Sequence, residues 1–433
     1  MKSETSPKPL SAGQHNRNRS QVIAFPARPD ARLGVGGQIW DTAKKIGPAI
    51  VTGAADLDPS AIVTATVVGA AFSLKLLWIV LLCVPFLLAA LDTSTRIGLE
   101  TRKGLFDLIR EYYGRKPAIF AAVFTIFISM LVITADLMAV ADVLSLILRQ
   151  PRMFFVPVIA FTVWYMLVFH DYRKITRVLV WTSLPVCLYL AAAWLTGPGF
   201  SNVVHGFLVP QFSWSKDFVE SVVALFGSLL TPYIILWQTS SRTDTHHEPH
   251  KADSLIACVV MFVLAASIII AAGSMLHFEH PVDMTTRQAA EALRPIAGDW
   301  GMLIFAIGIV GAGMVSLPVL VASMCYDVTQ AFGWEYGLSH RPGEAKRFYL
   351  LISGTMFVAT IGNFFKINPV TALYWSMIFA GILLIPTLIF MMIVSNNKRI
   401  MQKTNSLWQN VLLGAATVSA ALIGAIYLWE KLR

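Results

Sequence analysis

The stretch that decides the fold is "VTGAADLDPSAIVTATVVGAAF", residues 51–72. Most of it suits lipid, yet its middle carries two carboxylates, Asp56 and Asp58, followed at once by Pro59. A charge at the centre of a bilayer is expensive without a partner, and proline removes a backbone donor and breaks the helix there. Paired acids and a helix breaker inside an apolar run therefore point to an unwound segment lining a cavity.

The whole chain supports a membrane setting. It has 433 residues, 56% hydrophobic and 14% charged, with a mean hydropathy of +0.64. Soluble domains run nearer a quarter charged. Apolar segments recur near 43–72, 76–95, 117–148, 153–170, 176–196, 217–239, 253–276, 300–331, 348–365, 369–394 and 407–429. Such lengths predict an all-α integral membrane protein of 11 transmembrane helices, not a barrel of short alternating strands. Residues 1–38 are polar and rich in Ser, Pro, Arg and Gly. They read as a disordered cytoplasmic tail, not a cleavable signal peptide.

The formal net charge is +9. Most Lys and Arg residues fall in the tail and in alternate loops, for example Arg96 to Lys116, Arg173 to Arg177, Arg341 to Arg347 and Lys398 to Lys403. The positive-inside rule accounts for this, so no nucleic-acid partner is implied, and the N-terminus is expected to be cytoplasmic. Cys83, Cys187, Cys258 and Cys325 all lie in apolar stretches without a CxxC pair, and read as small buried side chains.

The sixth segment, "VVALFGSLLTPYIILWQTSS" at 222–241, is also interrupted at Gly227-Ser228 and Thr231-Pro232-Tyr233. One proline kink commonly just bends a membrane helix. Two in equivalent positions, five spans apart, give the pattern of a 5+5 inverted repeat whose broken first and sixth helices meet at a midplane site. The first repeat would cover 43–196 and the second 217–394, with 407–429 an added eleventh span.

No Lys or Arg lies in the core of either broken segment, so a cation from solution is the natural partner of the acids. The sixth segment offers carbonyls around Ser228 and Leu229 and the Thr231 hydroxyl, hard oxygen donors that suit Mg²⁺, Ca²⁺ or Mn²⁺ better than Cu(I) or Zn²⁺.

"GPAIVTGAADLDPSAI" resembles the first span of the Nramp divalent-metal transporters, and "LLTPYIILWQ" their sixth. The likeness runs from about residue 46 to 403 and includes "INPVTALYWSMIFAGILLIPTLIFMMIVSNNKRIM" at 367–401. It is strongest toward a divergent bacterial branch that includes Nramp-related magnesium transporters. The resemblance implies the leucine-transporter type of fold and metal transport. With the reading of the breaks it places metal ligands at Asp58, at Asp56 as this branch's added charge, and at Ala55 on the first span, and at Ser228 and Thr231 on the sixth. Tyr233, Gln238 and Asp136 would line the pore or carry coupling. Asp58 matches the family's metal-binding aspartate. Ala61 stands for its asparagine, Thr231 for its methionine, Tyr233 and Gln238 for its two histidines, and Ala139 for a third-span glutamate. These changes imply a small, hydrated ion such as Mg²⁺ or Mn²⁺ and weak or absent proton coupling.

The chain is thus expected to be a secondary transporter in a bacterial inner membrane, with a divalent cation as cargo, the bilayer as its other partner, no resident cofactor and no enzyme activity. A channel-like or scaffold role and a cation-coupled organic-solute symporter remain as alternatives. An intramembrane aspartyl protease would place its acids on separate helices, and no GxxxxGK[ST] loop supports ATP-driven pumping. The loop holding His246, His247 and His250 reads as solvated. Asp92 and Arg96 read as a helix pair, and Asp142 as interfacial.

Overall fold

The computed structural model describes residues 57–169, 187–196, 198–213, 215–244, 253–276, 284–293, 298–365 and 367–432. Ala55, Asp56, the tail at 1–38 and the loop with His246, His247 and His250 lie outside the described residues. In chain order the helices are α1 (Pro59–Phe72), α2 (Leu77–Thr101), α3 (Leu105–Tyr113), α4 (Arg115–Leu148), α5 (Arg152–Phe169), α6 (Leu188–Leu195) and α7 (Phe200–Leu208). They continue as α8 (Lys216–Leu229), α9 (Pro232–Asp244), α10 (Asp253–Met275), α11 (Thr286–Ala290), α12 (Gly301–Phe332), α13 (Lys346–Gly362), α14 (Pro369–Ser395) and α15 (Leu407–Leu432).

Among the described residues there is no strand, and 8 helices are long and apolar enough to cross a membrane, with α8 and α9 together forming one. These are the second, third, fourth, sixth, seventh, eighth, tenth and eleventh expected spans. The first is described only from Leu57 and the fifth only from Cys187. The ninth is a 17-residue helix, α13. Helix α3 and the short α7 and α11 were not expected from hydropathy, because short amphipathic helices leave no long apolar run.

Pairings across the bundle follow the two halves. The third and eighth spans, α4 and α12, lie along each other. Helix α1 packs on α10, and the sixth span packs correspondingly on α2. Helix α14 lies against α4 and α8. Large apolar side chains on the outside of α4, α5 and α13, among them Phe120, Phe127, Phe161 and Phe357, are exposed. Such a surface is suited to hydrocarbon, not water.

Two expectations are corrected. Asp92 and Arg96 do not pair with each other. Asp92 accepts from Gln409 Nε2 at 2.5 Å, while Arg96 donates to the Thr404 carbonyl at 3.2 Å and to Asn405. Asp92 reaches across to the first turn of α15 and Arg96 to its lead-in, where a side-chain amide and carbonyls replace an in-helix ion pair. Cys83, Cys258 and Cys325 are buried as expected, but Cys187, the N-cap of α6, is exposed.

Candidate metal site

Helix α1 is the described part of the first span and begins at Pro59. Asp58 has extended backbone (φ −68°, ψ 169°) and forms the N-cap, with Pro59 directly after it. Proline suits this position because its missing N–H would have no helical partner anyway. Asp58 Oδ1 accepts from the Ala61 N–H at 2.6 Å, and Oδ2 accepts from the Tyr233 hydroxyl at 2.9 Å. The carboxylate thus faces the positive end of α1 while reaching the sixth span.

The sixth span is broken where its sequence predicts. Helix α8 ends at Leu229, Leu230 leaves helical geometry (φ −115°, ψ 46°), and α9 starts at Pro232. Pro232 has no N–H to give the Ser228 carbonyl one turn before it. The Thr231 carbonyl is engaged by the Ile234 and Ile235 N–H groups at 3.2 and 3.4 Å. The Ser228 hydroxyl bonds back to the Leu225 carbonyl at 3.0 Å. Thr231 itself is buried, 2% exposed.

A second carboxylate joins from α4. The Ser60 hydroxyl donates to Asp136 Oδ1 at 2.5 Å, and Asp136 Oδ2 is buried without a partner. Ser316 on α12 stands beside Asp136. The structure therefore gathers Asp58, Tyr233, Ser60, Asp136 and Ser316, with Thr231 two residues from Tyr233. Gln238 is not gathered. It lies more than a turn further along α9, where its side-chain carbonyl accepts from Arg242 at 3.3 Å. Asp142 is half-buried, further along α4.

Burying a carboxylate costs several kcal/mol. Hydrogen bonds to a charged group return about 1.5–3 kcal/mol each. Among the described residues no Lys or Arg forms an ion pair with Asp58 or Asp136. No three His, Cys, Asp or Glu side chains converge there either. What the described residues offer is two carboxylates, hydroxyls and carbonyls, a hard oxygen set.

The sequence reading passes over Ser60, Ser316 and Asp327. Ser60 sits in the first turn after Pro59, where a side chain is free to leave the helix. Asp327 carries the plainer signal, being a carboxylate inside an apolar run.

The sequence model of a family described as natural resistance-associated macrophage protein-like, Nramp, matches residues 49–430. The chain is similar to the divalent metal cation transporter MntH of Caldanaerobacter subterraneus subsp. tengcongensis, 21% identical over 420 residues, covering 93% of this chain and 96% of that protein. It is also similar to the metal transporter NRAT1 of Oryza sativa subsp. japonica, 25% identical over 294 residues, covering 62% of this chain and 53% of the rice protein. The match thus spans about half of that relative's length. The crystal structure of the Eremococcus coleocola manganese transporter, in complex with an aromatic bis-isothiourea compound, superposes with a TM-score of 0.71 at 16% identity, covering 94% of this chain and 90% of that one. The likeness establishes the fold.

Proposed function

This chain belongs to the Nramp family, and from that premise we propose that it moves a divalent metal cation across a membrane by alternating access. The cation is held at mid-membrane between the two helix breaks. Asp58 is its charged ligand, with Thr231 and the Ser228 carbonyl opposite and Asp56 and Ala55 completing the first-span side. One observation carries the reading. Asp58 is fully buried at the broken start of α1, hydrogen-bonded across to the broken sixth span, and without an ion-pair partner among the described residues.

The ion is Mg²⁺ or Mn²⁺. Only oxygen donors are offered, and hard, well-hydrated cations prefer oxygen. Proton coupling is weak or absent, because a tyrosine, whose phenol titrates far above neutrality, stands at the break. The membrane is the bacterial inner membrane, with the Lys- and Arg-rich ends of the helices on the cytoplasmic side.

The test is uptake by vesicles containing the purified protein, with Mg²⁺, Mn²⁺ and Ca²⁺ in competition. Saturable uptake of Mg²⁺ or Mn²⁺ with mutual competition is expected. Ion-independent leak, or uptake of an organic solute driven by a monovalent cation, would replace this reading by a channel or a symporter.

A further inference from the structure

The buried carboxylate of Asp327 has no part in the central site. It is 1% exposed, and neither of its oxygens has a hydrogen-bond partner. An ionised carboxylate, which can only accept, is costly so deep and bare unless something positive visits it.

Its place in the fold says what that could be. Helices α9 and α12 run side by side in matched order. The Ser323 hydroxyl donates to the Tyr233 carbonyl at 3.0 Å. The Tyr326 ring meets Trp237 with centroids 5.8 Å apart. Gln330 Nε2 donates to the Ser240 hydroxyl at 3.0 Å. Asp327 is therefore level with Trp237, on the inner arm of the broken sixth span. Ser316, Ser323, Asp327 and Gln330 recur at helical spacing, so they form one buried polar file on α12. The file starts beside Asp136 and runs toward the Lys- and Arg-rich end. Gln330 Oε1 is a second buried acceptor with no partner.

Residues 218–236 of the sixth span are all buried, whereas Trp237 and Gln238 are half-exposed. Asp327 thus lies level with the first half-exposed residues of the sixth span below the site. At 1.5 Å per residue it is about 16 Å along α12 from Ser316.

The geometry points to a second, weaker cation station, formed by Asp327 with the Gln330 side-chain oxygen, that holds the transported divalent ion on its way between the central site and the basic face. This rests on the transport reading above. The station supplies one negative charge and neutral oxygens, enough to keep a partly hydrated ion from returning and too little to trap it.

The experiment uses the full chain with Mn²⁺ as probe, followed by its paramagnetic resonance signal in detergent and by vesicle uptake. Asp327→Asn keeps the side chain's size and removes its charge. It should leave the tighter Mn²⁺ equivalent within about twofold of the unaltered protein while slowing turnover about tenfold, equivalent to about 1.4 kcal/mol. Asp327→Glu should recover most of the rate. Asp58→Asn should lose the tighter Mn²⁺ equivalent and keep a weaker one, which disappears on adding Asp327→Asn. Unchanged turnover in Asp327→Asn, or no weak Mn²⁺ equivalent in Asp58→Asn, overturns the station. An Asp58→Asn protein that keeps the tighter equivalent instead overturns the central site, whatever Asp327 does.

Discussion

At the start of α1 the break is closed by a charge. Asp58 caps the helix, binds the Ala61 N–H and takes the Tyr233 hydroxyl. At the start of α9 the break is closed by neutral groups. The Thr231 carbonyl is taken by its own helix, the Tyr233 phenol reaches Asp58, and Pro232 has no N–H to offer the Ser228 carbonyl. Helices α1 and α8 are held alike. Gly69 of α1 approaches Ile269 and Gly273 of α10, and Gly227 of α8 approaches Met377 and Gly381 of α14, so closely that a Cβ on either would collide with backbone. On the proposed transport reading the difference implies a division of labour, in which the first break would supply attraction for any cation and the second would decide which cation.

The most direct way to break this comparison is Asp58→Ala. It removes the charge and the cap together, so saturable divalent uptake should vanish. The lost cap weakens the fold by about 1 kcal/mol, so the protein should still run as a single species in detergent. Normal uptake by that folded variant would show that the charge lies elsewhere.

The shared clasp is tested next. A Cβ at Gly227 would stand 2.1 Å from the Met377 carbonyl oxygen and 2.6 Å from the Gly381 nitrogen. These are backbone atoms and cannot step aside, so Gly227→Ala should cost about 3 kcal/mol or more. Its unfolding temperature in detergent should drop sharply. A variant as stable as the unaltered chain would mean that α8 and α14 have freedom to separate.

Tyr233 joins the two breaks, and so bears on coupling. With a phenol against Asp58, ion uptake should produce no stoichiometric acidification inside vesicles. Tyr233→His sharpens the point, because imidazole titrates near neutral pH and should introduce acidification during uptake. Robust acidification by the unaltered protein would shift the carrier role to Asp136 or Asp56.

How much of this was legible depends on distance along the chain. The spans were visible because each is a long local apolar run, and both breaks because Pro59 and Pro232 announce themselves within their own turns. Asp58 was legible for the same reason. The Ser60–Asp136 bond joins residues 76 apart, and no local pattern links a serine in one apolar run to an aspartate in another. The polar file on α12 was hidden differently. Ser316, Ser323 and Gln330 are unremarkable singly, and only the matched order of α9 and α12 makes them a line. Gln238 was legible only as an alignment with a family histidine, which said nothing of the Arg242 guanidinium that donates to it one turn on.

Selectivity should move less than binding. Thr231 offers a hard hydroxyl, whereas a thioether favours softer ions such as Cd²⁺ and hardly touches Mg²⁺. Thr231→Met should therefore raise Cd²⁺ competition several-fold and lower Mg²⁺ uptake, since the bulkier side chain displaces water that the ion retains. Adding Ala61→Asn should widen the shift. Unaltered Cd²⁺ competition in both variants would remove Thr231 from the ion's surroundings, and the second break with it.

The smallest effect comes from a carboxylate that does have a cation beside it. Asp107 on α3 accepts from Arg110 at 2.8 Å and from the Tyr336 hydroxyl, and Arg110 also donates to the Gln330 carbonyl at the end of α12. Burial nonetheless lifts the Asp107 carboxyl above its ordinary value, and Tyr336, Arg110 and Lys103 only partly oppose it. A carboxyl raised on folding binds its proton more tightly in the folded protein. Its stabilising contribution is therefore fully present below the unfolded value of about 3.9 and is lost as pH rises through the folded value. Unfolding temperatures measured across that range should fall slightly with pH for this reason, and Asp107→Asn should flatten the slope. Added Mg²⁺ should leave this slope alone, since Arg110 already partners the acid. The stabilisation that Mg²⁺ itself confers should depend on Asp58 and not on Asp107. If Asp107→Asn instead abolished stabilisation by Mg²⁺, the ion would be meeting the protein first at its basic end, and the two breaks would no longer account for binding by themselves.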